Sequence, residues 1–221
     1  MLDQQVRAIR IIEILRKATK NVEPPAALSI LTTYGQNPYL ILISCLLSLR
    51  TKDSVSLAAS HGLFEHAQTP AEMLTVPLKK IEQLIYPTGF YRRKANLLHA
   101  VSKDLLERFG GEVPPSFDDL LSIKGVGNKT ANLVLGVAFH IPAICVDTHV
   151  HRISNRLGFV QTTNPEETEA ALKALLPKKY WIEFNHLLVM WGQNICVPIS
   201  PFCSKCAIAP LCPKLGVNTH R

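Results

Sequence analysis

Near the C-terminus, the stretch CVPISPFCSKCAIAPLC sets Cys196, Cys203, Cys206 and Cys212 at the spacing C-x6-C-x2-C-x5-C. Four thiols so close in sequence must share one loop, and that loop has to fold around a common partner or be stapled by disulfides. The N-terminal stretch MLDQQVRAIRIIEILRKATK alternates charge with Ile and Leu at helical spacing, unlike a signal peptide, which points to an intracellular chain with little use for disulfides. Tetrahedral thiolate coordination is the better reading. Zinc and a [4Fe–4S] cluster both accept four Cys ligands, so the donor set alone leaves the metal open. Cys45 and Cys145 lie alone among apolar residues and read as core.

The remaining sequence is helical in pattern. Residues 38–49, 92–109, 129–139, 165–176 and 181–194 carry helical periodicity or length, most of the 15 prolines fall between such segments, and no strand alternation is convincing. With 221 residues and 47% hydrophobic content, the chain can bury one good core or two small ones. No apolar run approaches the roughly 20 residues that span a bilayer. The net charge of +7 suggests a polyanionic partner.

Between two helical segments lies SIKGVGNKTANLVL, residues 122–135. It is not a nucleotide-binding P-loop: Asn128 rather than glycine precedes Lys129, and the preceding PSFDDLLSI reads as a short helix with Ser116 and Asp119 at capping-box spacing. The pattern predicts a helix-hairpin-helix over about 116–139. Gly125 and Gly127 would turn the hairpin with positive φ, Asn128 would cap the second helix, and Leu133, Val134 and Val137 would form its apolar stripe. Backbone N–H groups beside a helix N-terminus suit a phosphate oxygen and carry no base information. An ordinary helix–turn–helix connector is the alternative. Further on, in ICVDTHVHRISNRLGF, Asp147 is placed to cap a helix beginning at Thr148, and a carboxylate there can also face Lys129; the two roles are compatible.

The order GVGNKTA, then VDTHVHRISNRLG, then C-x6-C-x2-C-x5-C resembles the endonuclease III branch of the helix-hairpin-helix DNA glycosylases, over about residues 5–213. The resemblance implies an all-α fold of two helical domains flanking a DNA-binding cleft. One is a helical barrel over 31–141 containing the hairpin. The other is an iron-sulfur domain built from 1–30 and 142–221. It also implies base-excision repair of oxidised pyrimidines in double-stranded DNA, with glycosylase and AP lyase activities, a [4Fe–4S] cofactor on Cys196, Cys203, Cys206 and Cys212, and a monomer located with the DNA. A mismatch-type glycosylase of the same superfamily would lack the lysine nucleophile. A non-catalytic DNA-binding iron-sulfur protein would lose Lys129 or Asp147, and both are present.

By that resemblance Lys129 is the nucleophile. A helix N-terminus and partial burial would both disfavour its ammonium form. Asp147 would stabilise the charge that develops on the sugar, and His149 would line the pocket or meet the backbone. Gly125 and Gly127 would offer amides to a phosphate. In GFYRRKA, Phe90 would be the wedge, with Arg92, Arg93 and Lys94 near the DNA backbone, and Lys205 of the cysteine loop would face DNA. The chain departs from the common pattern twice. Arg50 in LSLRTKD stands where many members have glutamine, which opens the question of opposite-base preference, and Lys124 stands where LPGVG is usual.

Overall fold

The computed structural model describes residues 2–221, and among these it is helical with no strand. The helices fall into two compact units, one comprising Pro25–Ile141 and the other formed by the N-terminal segment to Pro24 together with Pro142–Arg221.

The first unit is built around α3 (Pro38–Ser48), preceded by α2 (Ala26–Tyr34). Asn37 starts α3 by accepting from the amides of Tyr39 and Leu40, with Pro38 in the first turn, and Tyr39 through Leu47 are all buried. A helix apolar on every side belongs in the middle of a core. Around it run α4 (Asp53–Phe64), α5 (Pro70–Thr75), α6 (Leu78–Leu84), α7 (Tyr91–Phe109), α8 (Phe117–Ser122) and α9 (Asn128–Phe139). α7 is amphipathic. It buries Ala95, Leu98, Val101, Ser102 and Leu105 on one stripe, where Ser102 meets the Tyr39 hydroxyl at 2.7 Å.

Residues 25–30 belong to this unit, whereas the family resemblance grouped them with the N-terminal helix. Ala26, Ala27 and Ile30 are buried on α2, which packs on α3, α4 and α9. The apolar face of α2 thus sets the boundary at Pro24–Pro25.

The second unit packs α1 (Leu2–Ala18) with α10 (Thr148–Arg156), α11 (Pro165–Leu175) and α12 (Trp181–Asn194). Ile11, Ile12 and Leu15 of α1 share a core with Val150 and Ile153 of α10, Leu172 of α11, and Phe184, Leu187 and Leu188 of α12. Beyond α12 the chain holds only one-turn helices, at Cys203–Lys205 and Ala209–Leu211, and this is the cysteine loop.

Candidate functional site

The hairpin between α8 and α9 is as short as the sequence implies, but its details differ. Gly125 has φ of 86°, which calls for glycine, and a Cβ there would lie 2.6 Å from Leu97 Cδ1, so that side chain would have to shift for any other residue. Gly127 has an ordinary φ of −101° and itself occupies the N-cap of α9; Asn128 is the first helical residue and makes no side-chain cap. The expected positive φ at Gly127 and cap at Asn128 are therefore not found, because one left-handed residue suffices to turn the chain. Nothing lies within 4 Å of where a Gly127 Cβ would be. The protein leaves that side of the backbone open, next to the unpaired first amides of α9. Val126 between the glycines is buried and anchors the hairpin from below.

Lys129 is the second residue of α9 and is exposed. The partial burial expected of it is absent, since its side chain leaves the helix on the solvent side of the first turn. Beneath α9, Cys45 of α3 is fully buried; desolvation pushes its thiol up to about 12, with the Lys129 charge acting the other way.

The wedge segment follows the same logic. Phe90 is 52% exposed and, at φ of 58°, sits in the left-handed region directly before α7; Arg50 after α3 has φ of 54°. Each such non-glycine conformation costs about 1–2 kcal/mol. The Arg50 guanidinium lies 4.9 Å from the Phe90 ring centroid. Arg92 and Arg93 are exposed in the first turn of α7, where no acidic residue accompanies them. Lys94 is a correction: it is 6% exposed, with Nζ donating to Leu47 O at 2.6 Å and Thr51 Oγ1 at 2.8 Å, and burial pulls its amine down to about 8. It sits on the buried stripe of α7 and does not face outward as the family resemblance implied.

These placements share an electrostatic feature that the sequence alone did not show. Cations at the N-terminal end of a helix oppose its dipole, each at about 0.3–1 kcal/mol. Arg92 and Arg93 do this on α7 and Lys129 on α9, with no acid in either first turn. An external anion would relieve both ends.

In the other unit, Asp147 caps α10. Its Oδ1 accepts from His149 N at 2.8 Å and Val150 N at 2.9 Å, while Oδ2 has no hydrogen bond among the described residues. His149 is turned inward: a Cβ on Gly192 of α12 would lie 2.5 Å from its Nδ1, and Arg152 Nη2 approaches that nitrogen at 3.1 Å. It packs α10 against α12.

Cys196, Cys203, Cys206 and Cys212 line one pocket together with Ile153, Leu157, Trp191 and Ile208. None is in a disulfide. Burial raises the thiols of Cys206 and Cys212 above the usual range, and the neighbouring cysteines push the same way; the backbone amides of Ile208 and Lys214 oppose the shift. Two arginines of α10 fasten the loop. Arg152 Nη2 donates to Cys196 O at 2.8 Å, and Arg156 donates to Cys196 Sγ at 3.3 Å, Val197 O at 2.9 Å and Pro198 O at 2.7 Å. The Trp191 Nε1–H is buried without a partner of good geometry at the same wall. Four thiols gathered in an apolar pocket, with donors aimed at sulfur, fit a bound metal centre: without one, their ionisation is opposed by burial and by each other. The arginines went unnoticed in the sequence although both lie in the quoted motif, four residues apart on one helix face. Lys205 is exposed on the one-turn helix between Cys203 and Cys206.

The family described as HhH-GPD superfamily base excision DNA repair protein matches residues 43–178. Endonuclease III of Thermotoga maritima is 48% identical over 176 residues, covering 80% of this chain and 83% of that one. Endonuclease III of Bacillus subtilis is 39% identical over 80% of this chain and 81% of its own. The chain spans 48% of the length of the longer Endonuclease III homolog 1, chloroplastic, of Arabidopsis thaliana, at 46% identity. Among solved structures, a trapped endonuclease III–DNA covalent intermediate, an estranged-adenine complex, superposes with a TM-score of 0.82 at 34% identity, over 97% of each chain.

Proposed function

Since the chain belongs to the endonuclease III family of the HhH-GPD superfamily of base excision DNA repair proteins, we propose that it excises oxidised pyrimidines from duplex DNA with Lys129 as nucleophile and then cleaves the strand as an AP lyase. The observation that carries this reading is the start of α9: an exposed lysine amine beside hairpin backbone that the protein leaves uncovered at Gly127. A phosphate held by the amides of Gly125, Gly127 and the first turn of α9 sets the register of the strand, and the lysine then meets the sugar. That a relative at 34% identity is known as a covalent DNA intermediate supports a covalent route.

In the chemical steps, the unprotonated Lys129 amine gives its electron pair to C1′ of an extrahelical nucleotide, and the glycosidic bond breaks with its pair leaving on the base, which is protonated. Ring opening yields a Schiff base, and loss of a C2′ proton expels the 3′ phosphate. The exposure of Lys129 in the free protein assigns its desolvation to DNA binding. The free Oδ2 of Asp147 supports a role in stabilising positive charge on the sugar or carrying the proton, while Oδ1 remains tied as the cap. Phe90 and Arg50 enter the gap left by the flipped nucleotide; Arg92, Arg93 and Lys205 meet phosphates. The enzyme acts as a monomer with the DNA; among the described residues no helix is long and apolar enough to cross a membrane.

The four cysteines hold a [4Fe–4S] cluster in this reading. Among the described residues no three His, Cys, Asp or Glu side chains are grouped to hold a single ion. The four thiols nonetheless surround one pocket. A [4Fe–4S] cluster takes four Cys thiolates, and the spacing C-x6-C-x2-C-x5-C is the one the family resemblance assigns to it. No bond-breaking step is assigned to it; its loop docks on DNA.

The deciding experiment is borohydride trapping on a duplex with a single oxidised pyrimidine. Lys129→Gln should abolish the trapped complex while duplex binding stays within a few-fold, and Asp147→Asn should slow base release by about 10²-fold or more with the fold retained. Trapping by Lys129→Gln at the native rate would refute the assignment.

A further inference from the structure

Arg50 and Phe90 both occupy the left-handed region, and such residues keep that conformation only where their surroundings fix it. Here one hydroxyl and one buried amine do the fixing. Thr51 Oγ1 accepts from Gly89 N at 3.1 Å and from Lys94 Nζ at 2.8 Å, and donates to Leu49 O at 3.3 Å, so its donor and both acceptor sites are used. Lys94 Nζ also donates to Leu47 O at 2.6 Å, a carbonyl in the last turn of α3 where helical partners run out. Gly89 lets the two loops touch: a Cβ there would lie 2.9 Å from Arg50 O. The Lys94 N–H then bonds Phe90 O at 3.0 Å, so α7 begins from the wedge residue itself.

Stability does not account for this arrangement. Both acceptors of the Lys94 amine are uncharged oxygens, and burial has drawn the amine down to about 8, so charging it is opposed by the site. A methionine of similar length would fill the space without that cost. What the lysine adds is direction: it ties the end of α3 to the start of α7 through Thr51, on either side of the Arg50–Phe90 cation–π pair.

We propose that Lys94, acting through Thr51, is a positioning residue that holds Arg50 and Phe90 as one wedge, already set before DNA arrives. The inference rests on the reading of those two residues as the ones that enter the helical gap. A pre-set wedge spends no binding energy on ordering side chains during base extrusion, so loosening it slows engagement of a paired lesion and spares the chemistry on a sugar already outside a helix.

Three variants test it: Lys94→Met, Thr51→Val and Thr51→Ser. In the free protein, amide hydrogen exchange across residues 86–91 should quicken at least tenfold in Lys94→Met and Thr51→Val and stay native in Thr51→Ser, which keeps the hydroxyl. This readout requires no glycosylase activity, so it stands even if the proposed reaction fails. In borohydride trapping, the ratio of the rate on a duplex lesion to the rate on a single-stranded abasic oligonucleotide should fall about tenfold in the first two variants, with the single-strand rate within twofold of native. Adding Arg50→Gln to Thr51→Val should give little further loss, since both act through the same wedge. If Lys94→Met does not fold, Thr51→Val carries the test alone. Native exchange in Thr51→Val, an unchanged ratio, or a single-strand rate that falls as far as the duplex rate overturns the proposal. Absence of single-strand trapping in the native protein would instead count against Lys129 as nucleophile.

Discussion

The Arg50 guanidinium carbon lies over the Phe90 ring, 4.9 Å from its centroid. A contact over the ring uses none of the guanidinium N–H donors, and no hydrogen bond holds them among the described residues. Projected into the space left by a flipped nucleotide, such a group donates two parallel bonds, and guanine, with O6 and N7 as acceptors, is the base that matches it. A bidentate contact of this kind discriminates by about 1–3 kcal/mol. One oxidised pyrimidine should therefore be excised roughly 5- to 150-fold faster opposite guanine than opposite adenine, and Arg50→Gln should flatten the difference. Single-turnover rates with each of the four opposite bases, for both proteins, measure it. The same profile before and after substitution would show that Arg50 grips a phosphate, in which case the salt dependence of binding should weaken instead.

At the scale of the element, the hairpin separates two glycines that look alike in GVG. Gly125→Ala forces a left-handed alanine, at about 1–2 kcal/mol, and drives a methyl toward Leu97 Cδ1, so it should lower the thermal midpoint by several degrees. Gly127→Ala meets no protein atom within 4 Å and has an ordinary φ, so the midpoint should hold. Its methyl projects where a phosphate would approach, and duplex affinity should fall about tenfold, or about 1.4 kcal/mol. Equal thermal shifts with unchanged binding would remove the hairpin from the DNA interface. Calorimetry and a fluorescence titration distinguish these outcomes. The hairpin itself was legible in the sequence because short-range rules set it: a capping serine, two glycines and an apolar stripe. So were α3, α7, α9, α11 and α12, which are long or strongly patterned. Helices α2, α4, α5 and α6 were not, being short or weakly periodic and helical mainly through packing. The burial of Lys94 and the exposure of Lys129 were equally hidden. Neighbouring positions in a cationic run differ in environment only once α3, the 49–51 loop and α7 have met.

For the molecule as a whole, the segment after α12 is the part least able to fold by itself. From Cys196 onward it has only one-turn helices, and Pro201 and Ile208 are its only fully buried residues among those described. Fixing the backbone of one residue costs about 1–2 kcal/mol. With so few of its side chains buried, the stretch from Cys196 to Cys212 leans on the hydrogen bonds from Arg152 and Arg156. A metal centre on four thiolates would supply further stability, since binding to a site absent from the unfolded chain is itself folding free energy. The helices of both units lie outside this segment, and Pro25–Ile141 has a core of its own around α3. The purified native protein should therefore be brown and contain about four iron atoms per chain. Cys203→Ser should lose that iron and become cleavable by protease between Ile195 and Val217, with far-ultraviolet helical signal largely kept and solubility reduced by the opened apolar wall of Trp191, Ile153 and Leu157. A colourless native protein with one zinc would reject the cluster, and a Cys203→Ser protein without iron that still resists protease across the loop would show that α10 and its arginines hold the segment without help from a metal.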